Sequence, residues 1–205
     1  MNKTRVEALS DGIFAIAITL LVLTISEPDD FRHLASQLAN RWPSLAAYVV
    51  SFAIIGIMWC NHHSIFNYLE SVNTGLFYLN LLLLMTISFL PYPTGVLGQA
   101  LREGHGTRAA AVFYSATMTI NALAWGALWL YASSGRRLLK STFPEPQRRT
   151  ATIAFTLGIG VYALSIGVAF INAYVCLAFH GVLAVYYALD PISRRANRSP
   201  VDVAA

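Results

Sequence analysis

Six stretches of this chain, at about 8–26, 44–66, 72–97, 108–131, 150–171 and 173–190, are almost wholly apolar. Each is close to the ~20 residues that a helix needs to cross a bilayer. That pattern predicts an all-α membrane protein with six transmembrane helices per subunit. Only 12% of the residues are charged and 56% are apolar, with a mean hydropathy of +0.55. Too few polar side chains remain to coat a water-soluble enzyme, and 25 aromatic residues argue against disorder. The loops are short, the longest being 27–43 and 132–149, so residues 1–205 read as one domain.

The first run carries a short basic start, Lys3 and Arg5, but Glu7 and Asp11 interrupt it. No small-residue cleavage site precedes Glu27, so it is expected to remain as a helix. Thr4-Arg5-Val6-Glu7 has the spacing of a capping box that would start that helix. With six spans, Lys3, Arg5, Arg136, Arg137, Lys140, Arg148, Arg149, Arg194, Arg195 and Arg198 share one side. Arg32, Arg41, Arg102 and Arg108 share the other. Positive charge marks the cytoplasm, which places both termini inside. The net charge of +4 therefore reports orientation, and no nucleic-acid partner is expected.

Only Glu7 and Asp11, among ten acids, enter an otherwise apolar helix, and no carboxylate lies mid-membrane. A proton-coupled transporter usually needs a group there, a role that His62 or His63 of the second span could fill. That transporter is the alternative reading, although these residues also read as satisfied core histidines. Asp11 requires a partner near hydrocarbon, for which Arg5 and the cluster Trp59-Cys60-Asn61-His62-His63 are the candidates. Asn80, Asn121 and Asn172 read as interhelical hydrogen-bonding residues, and Pro91 and Pro93 as breaks in the third run. Cys60 and Cys176 cannot build a zinc site alone, and no metal or other cofactor is expected.

On a wheel drawn at ~100° per residue, Leu9, Gly12, Thr19, Leu20 and Leu23 fall within about 60° of Ile16. Glu27 ends the stripe. Ser10 and Asp11 point elsewhere, and Arg5 falls on the Ile16 side. Such a stripe is either an ordinary lipid or helix contact, or the lining of a pore gated by excluding water.

Arg5-Val6-Glu7-Ala8-Leu9-Ser10-Asp11, followed by GIFAIAITLLVLTI, resembles the R-x-x-x-F-S-D signature of the transmembrane protein 175 family. Leu9 stands where that pattern has Phe. Trp59 with His63 four residues on, Asn80, LLLL and FLPYPT are similar to the family's second and third spans. The resemblance implies a potassium-permeable channel of a prokaryotic plasma membrane, built as a homotetramer with the first helix lining a central pore. The chain has no T-V-G-Y-G filter loop. The resemblance places the constriction at Ile16, Thr19 and Leu23, with Leu20 close by. It also implies a structural polar network of Arg5, Ser10, Asp11, Trp59 and His63. Monovalent cations, potassium first, and membrane lipid are the expected partners. Glu27, Asp29 and Asp30 are expected at the outer mouth, where they would concentrate cations.

Overall fold

The computed structural model describes residues 2–28, 31–136 and 138–189. Among them the chain is helical, apart from one isolated antiparallel pairing of Leu69 with Leu139. The helices are α1 (Lys3–Leu20), α2 (Leu34–Asn40), α3 (Trp42–Tyr68), α4 (Thr74–Phe89), α5 (Pro91–Glu103), α6 (Thr107–Ser133), α7 (Glu145–Ile171) and α8 (Ala173–Leu189). With a 3-10 turn extending α1 and with α4 and α5 taken as one run, five are long and apolar enough to cross a bilayer. The sixth run is α8, of which 17 residues are described.

The boundaries follow local chemistry. The third run divides at Leu90, because Pro91 occupies the first turn of α5 and cannot donate to the preceding helix. Asn73 caps α4 by accepting from the Leu76 N–H at 2.9 Å. Asn172 proves to be a cap rather than a link between helices. Its backbone is extended, and its Oδ1 accepts from the N–H groups of Tyr174 and Val175 at 2.8 and 3.1 Å. The capping box predicted at Thr4 does not form. The helix already starts at Lys3, after an extended Asn2 that makes no side-chain cap bond. Lys3 instead donates to the Leu69 carbonyl at 2.9 Å, tying the start of α1 to the end of α3.

α6 is the spine of the bundle. Tyr114, Met118, Leu128 and Trp129 are buried on it, and it packs along α4, α5 and α7. Hydrogen bonds cross the apolar core at two levels. Ser51 of α3 meets Thr94 of α5 at 2.8 Å and Tyr114 of α6 at 3.0 Å. Asn121 of α6 donates to the Thr86 hydroxyl of α4 at 2.7 Å. Such bonds contribute on average about 0.6 kcal/mol each in a membrane bundle, and they fix helix register. α1 lies at the edge of this bundle, against α3 and α4.

Candidate functional site: an exposed stripe on α1 and its polar backing

α1 buries Val6, Ser10, Phe14 and Ala17, and the following turn buries Leu21, a spacing of three or four residues along one face. Its other face is bare in the single chain. Leu9, Gly12, Ile16, Thr19, Leu20 and Leu23 are all exposed, Ile16 at 58% and Leu23 at 76%. The wheel predicted this stripe, and the structure separates it from the packed side. The Thr19 hydroxyl donates to the carbonyls of Ile16 (2.9 Å) and Ala15 (3.1 Å), which turns its oxygen lone pairs outward.

Beyond Leu20 the helix tightens into the 3-10 turn Leu21–Thr24. Thr24 presses on α5, where a Cβ built on Gly95 would stand 3.0 Å from the Thr24 Cβ, so a larger residue there would push Thr24 back by a few tenths of an ångström. Arg41, 4% exposed at the foot of α3, donates to the Ser26 carbonyl, the Ser26 hydroxyl and the Glu27 carbonyl. The outer end of α1 is therefore pinned from two sides, with Glu27 left exposed. Asp29 and Asp30 lie outside the described residues.

Behind the stripe are two separate hydrogen-bond sets. The first is buried. Ser10 donates to the Val6 carbonyl at 2.9 Å, so its oxygen can only accept, and it takes the Asn80 amide N–H at 3.0 Å. That fixes the Asn80 Oδ1 toward His62, 2.8 Å from Nε2, which must carry the proton. The His62 ring stacks on Phe66 at 4.2 Å and meets the Phe14 ring edge-on at 5.4 Å. The second set is exposed. Trp59 Nε1 donates to Asp11 Oδ1 at 2.8 Å, and His63 stacks on Trp59 at 6.0 Å.

The five residues expected as one network thus divide. Ser10 joins Asn80 and His62, while Asp11 joins Trp59 and His63. Arg5 is exposed and makes no hydrogen bond or ion pair among the described residues, in keeping with its place on the Ile16 side of the wheel. His63 stays with Trp59, while His62, one of the two histidines read as satisfied core residues, is the one that bonds Asn80 in the buried set. The signal was present in the spacing: Ser51, Ile55, Met58 and His62 recur on the buried side of α3, and His63 is one step off it. Arg41 had no such signal, since its partners are two carbonyls and one serine hydroxyl fourteen or fifteen residues away. His180 is buried on α8, its Nδ1 2.9 Å from the Cys176 carbonyl and its ring 5.0 Å from Tyr114.

The arrangement is an apolar helical bundle whose first helix carries an exposed apolar stripe backed by satisfied polar groups. The family model described as "Endosomal/lysosomal potassium channel TMEM175" matches residues 5–91, from the start of α1 to the α4–α5 break. A potassium channel of Streptomyces collinus is 45% identical over 205 residues, covering 98% of this chain and all of that one. The crystal structure of a lysosomal potassium-selective channel TMEM175 homolog from Chamaesiphon minutus superposes with a TM-score of 0.83. Its identity is 36%, over 96% of this chain and 98% of that one. The human endosomal/lysosomal proton channel TMEM175 is 38% identical over 101 residues, 44% of this chain and 20% of that protein. The chain belongs to the TMEM175 family.

Proposed function

We propose that the chain, as a single channel domain, forms a homotetrameric potassium-permeable cation channel with α1 of each subunit on the central axis. The observation that carries this is the bare stripe Leu9, Gly12, Ile16, Thr19, Leu20, Leu23 on a helix whose opposite face is packed. The relatives named as potassium channels support the permeant ion. On this reading α8 counts as a sixth span, both termini face the cytoplasm of a prokaryotic cell, and lipid surrounds the outer helices.

Four copies of Ile16, Leu20 and Leu23 form aliphatic rings that stay dry when narrow and conduct when wetted. Thr19 contributes the hydroxyl ring, with its oxygens free to replace part of an ion's water. Glu27, with Asp29 and Asp30, raises the cation concentration at the outer mouth. Aliphatic groups do not coordinate potassium, so discrimination against sodium falls to neck width and Thr19 and is modest. The Ser10–Asn80–His62 and Asp11–Trp59–His63 sets brace α1 against α3 and α4. No cofactor is required beyond the permeant ion.

Potassium flux into proteoliposomes tests this. Flux should follow the electrochemical gradient of potassium with no proton gradient imposed. A second reading, proton-coupled transport, is favoured by the buried, hydrogen-bonded His62 and by the human relative named a proton channel. Potassium flux that stops whenever the proton gradient is collapsed would replace the first reading with the second.

A further inference from the structure

A second feature lies away from the pore stripe. α8 has 17 described residues where its antiparallel neighbour α7 has 27. Near Gly158 the Tyr187 hydroxyl of α8 lies 3.6 Å from a built Cβ. Toward the start of α7, among the described residues, a half-open slot of about 410 Å³ separates it from α3. The lining runs along α7 from Pro146 to Tyr162, which at ~1.5 Å per residue is about 24 Å. The walls are mostly apolar, with Ile54, Met58, Ala154 and Phe155 interrupted by Asn61, Ser64 and Asn121, and Trp125 and Trp129 of α6 line the slot as well. Protein interiors do not leave such volumes empty, and within a bilayer the nearest filler is hydrocarbon.

One end of the slot is different. Gln147 and Thr150 line it where α7 begins, and the basic segment before α7 is fixed beside it. The Lys140 N–H donates to the Tyr68 carbonyl and the Glu70 N–H to the Leu138 carbonyl, each at 2.9 Å. Phe143 packs on Tyr68 at 4.5 Å between ring centres. Arg148 and Arg149 share the single carboxylate of Glu145, at 2.6 and 3.4 Å, and Arg149 is 76% exposed. Lys140 is exposed as well. Even with Glu70 and Glu145 counted, Lys140, Arg148 and Arg149 leave the mouth a cationic surplus.

We infer that the slot is a lipid site: one acyl chain of an anionic phospholipid lies between α3 and α7, with its phosphate over Lys140, Arg148 and Arg149. The elongated apolar cavity matches a single hydrocarbon chain, and the fixed basic mouth matches a phosphate diester. This site does not depend on the pore assignment.

The test reconstitutes the full-length protein in phosphatidylcholine bilayers and follows tryptophan fluorescence. Chain-brominated phosphatidylglycerol or chain-brominated phosphatidylcholine is then titrated in. Trp125 and Trp129 report occupancy of the slot, and the part of the quenching lost in Ala154→Phe defines it. The slot component should saturate at low mole fraction with phosphatidylglycerol, preferred by about fivefold for each basic residue engaged. Lys140→Gln with Arg149→Gln, both exposed, should cut that preference while leaving the fold intact. Equal quenching by the two lipids, or quenching that survives Ala154→Phe, overturns the inference. So does a slot component seen only after residues 190–205 are removed, which would make the chain's own tail the occupant. Should Ala154→Phe fail to assemble, the headgroup preference and its loss in the two exposed variants still decide.

Discussion

Asn80 sits at the centre of the buried set, and its replacement by leucine separates bracing from proton transfer. Asn80 is fully buried and bonds Ser10 and His62. In Asn80→Leu, Ser10 keeps its bond to the Val6 carbonyl and loses only a partner for its oxygen. His62 fares worse, because its buried Nε2–H is left without an acceptor, a cost of about 1–3 kcal/mol. Taking ~2 kcal/mol, the melting midpoint of the purified protein should fall by about 4–8 °C. The double variant His62→Phe with Asn80→Leu removes both polar partners. A phenyl ring keeps the contacts with Phe66 and Phe14, so the double variant should recover at least half of the loss. Thermal unfolding followed by tryptophan fluorescence, on the wild type, both single variants and the double variant, measures the coupling. Strictly additive losses would refute the paired account. Potassium flux by the double variant is the second readout. If it stays within about twofold of wild type, His62 braces the helix and carries no obligatory proton.

Four further outcomes follow from the same geometry. Ile16→Asn places amides in the neck and should raise resting potassium leak severalfold in liposomes; an unchanged leak would remove Ile16 from the constriction. Thr19→Val keeps the side-chain shape and deletes the outward oxygen, so the potassium-to-sodium permeability ratio from reversal potentials should fall toward unity. Asp11→Ala releases Trp59 Nε1 and should weaken assembly, seen as a smaller species in size-exclusion light scattering, more than it alters selectivity. Arg41→Met frees the carbonyls of Ser26 and Glu27 and should lower conductance most at low salt, where mouth acids matter; a loss equal at all salt concentrations would argue against a role at the mouth.

The parts of the fold that were legible in the sequence are those set by long-range composition. Continuous apolar runs mark the crossing helices because lipid tolerates little else, and Pro91 with Pro93 marks the α4–α5 break because proline lacks the donor. The α1 stripe was legible because a helix repeats every 3.6 residues whatever it packs against. Contacts decided by neighbours were not legible. Asn172 has the chemistry of a helix cap and of an interhelical donor alike, and only the extended backbone selects the cap. The burial of His62 follows the spacing of Ser51, Ile55 and Met58, but its bond to Asn80 depends on how α3 is turned against α4. Thr4 has a capping-box pattern, but Lys3 gains a carbonyl on α3 by extending the helix one residue further back.

The turn at Leu21–Thr24 makes the outer rim of α1 a screw thread. A 3-10 segment advances ~120° and ~2.0 Å per residue, against ~100° and ~1.5 Å in the α form. Rewinding those four residues would draw Ser26 inward by about 2 Å and swing Leu23 by roughly 60° about the axis. Gly95 and Arg41 grip the thread where that rotation would begin. Leu23 can therefore be repositioned only as the Arg41 bonds to Ser26 and the Thr24–Gly95 contact give way, while Ile16, one α-helical stretch below, keeps its bearing.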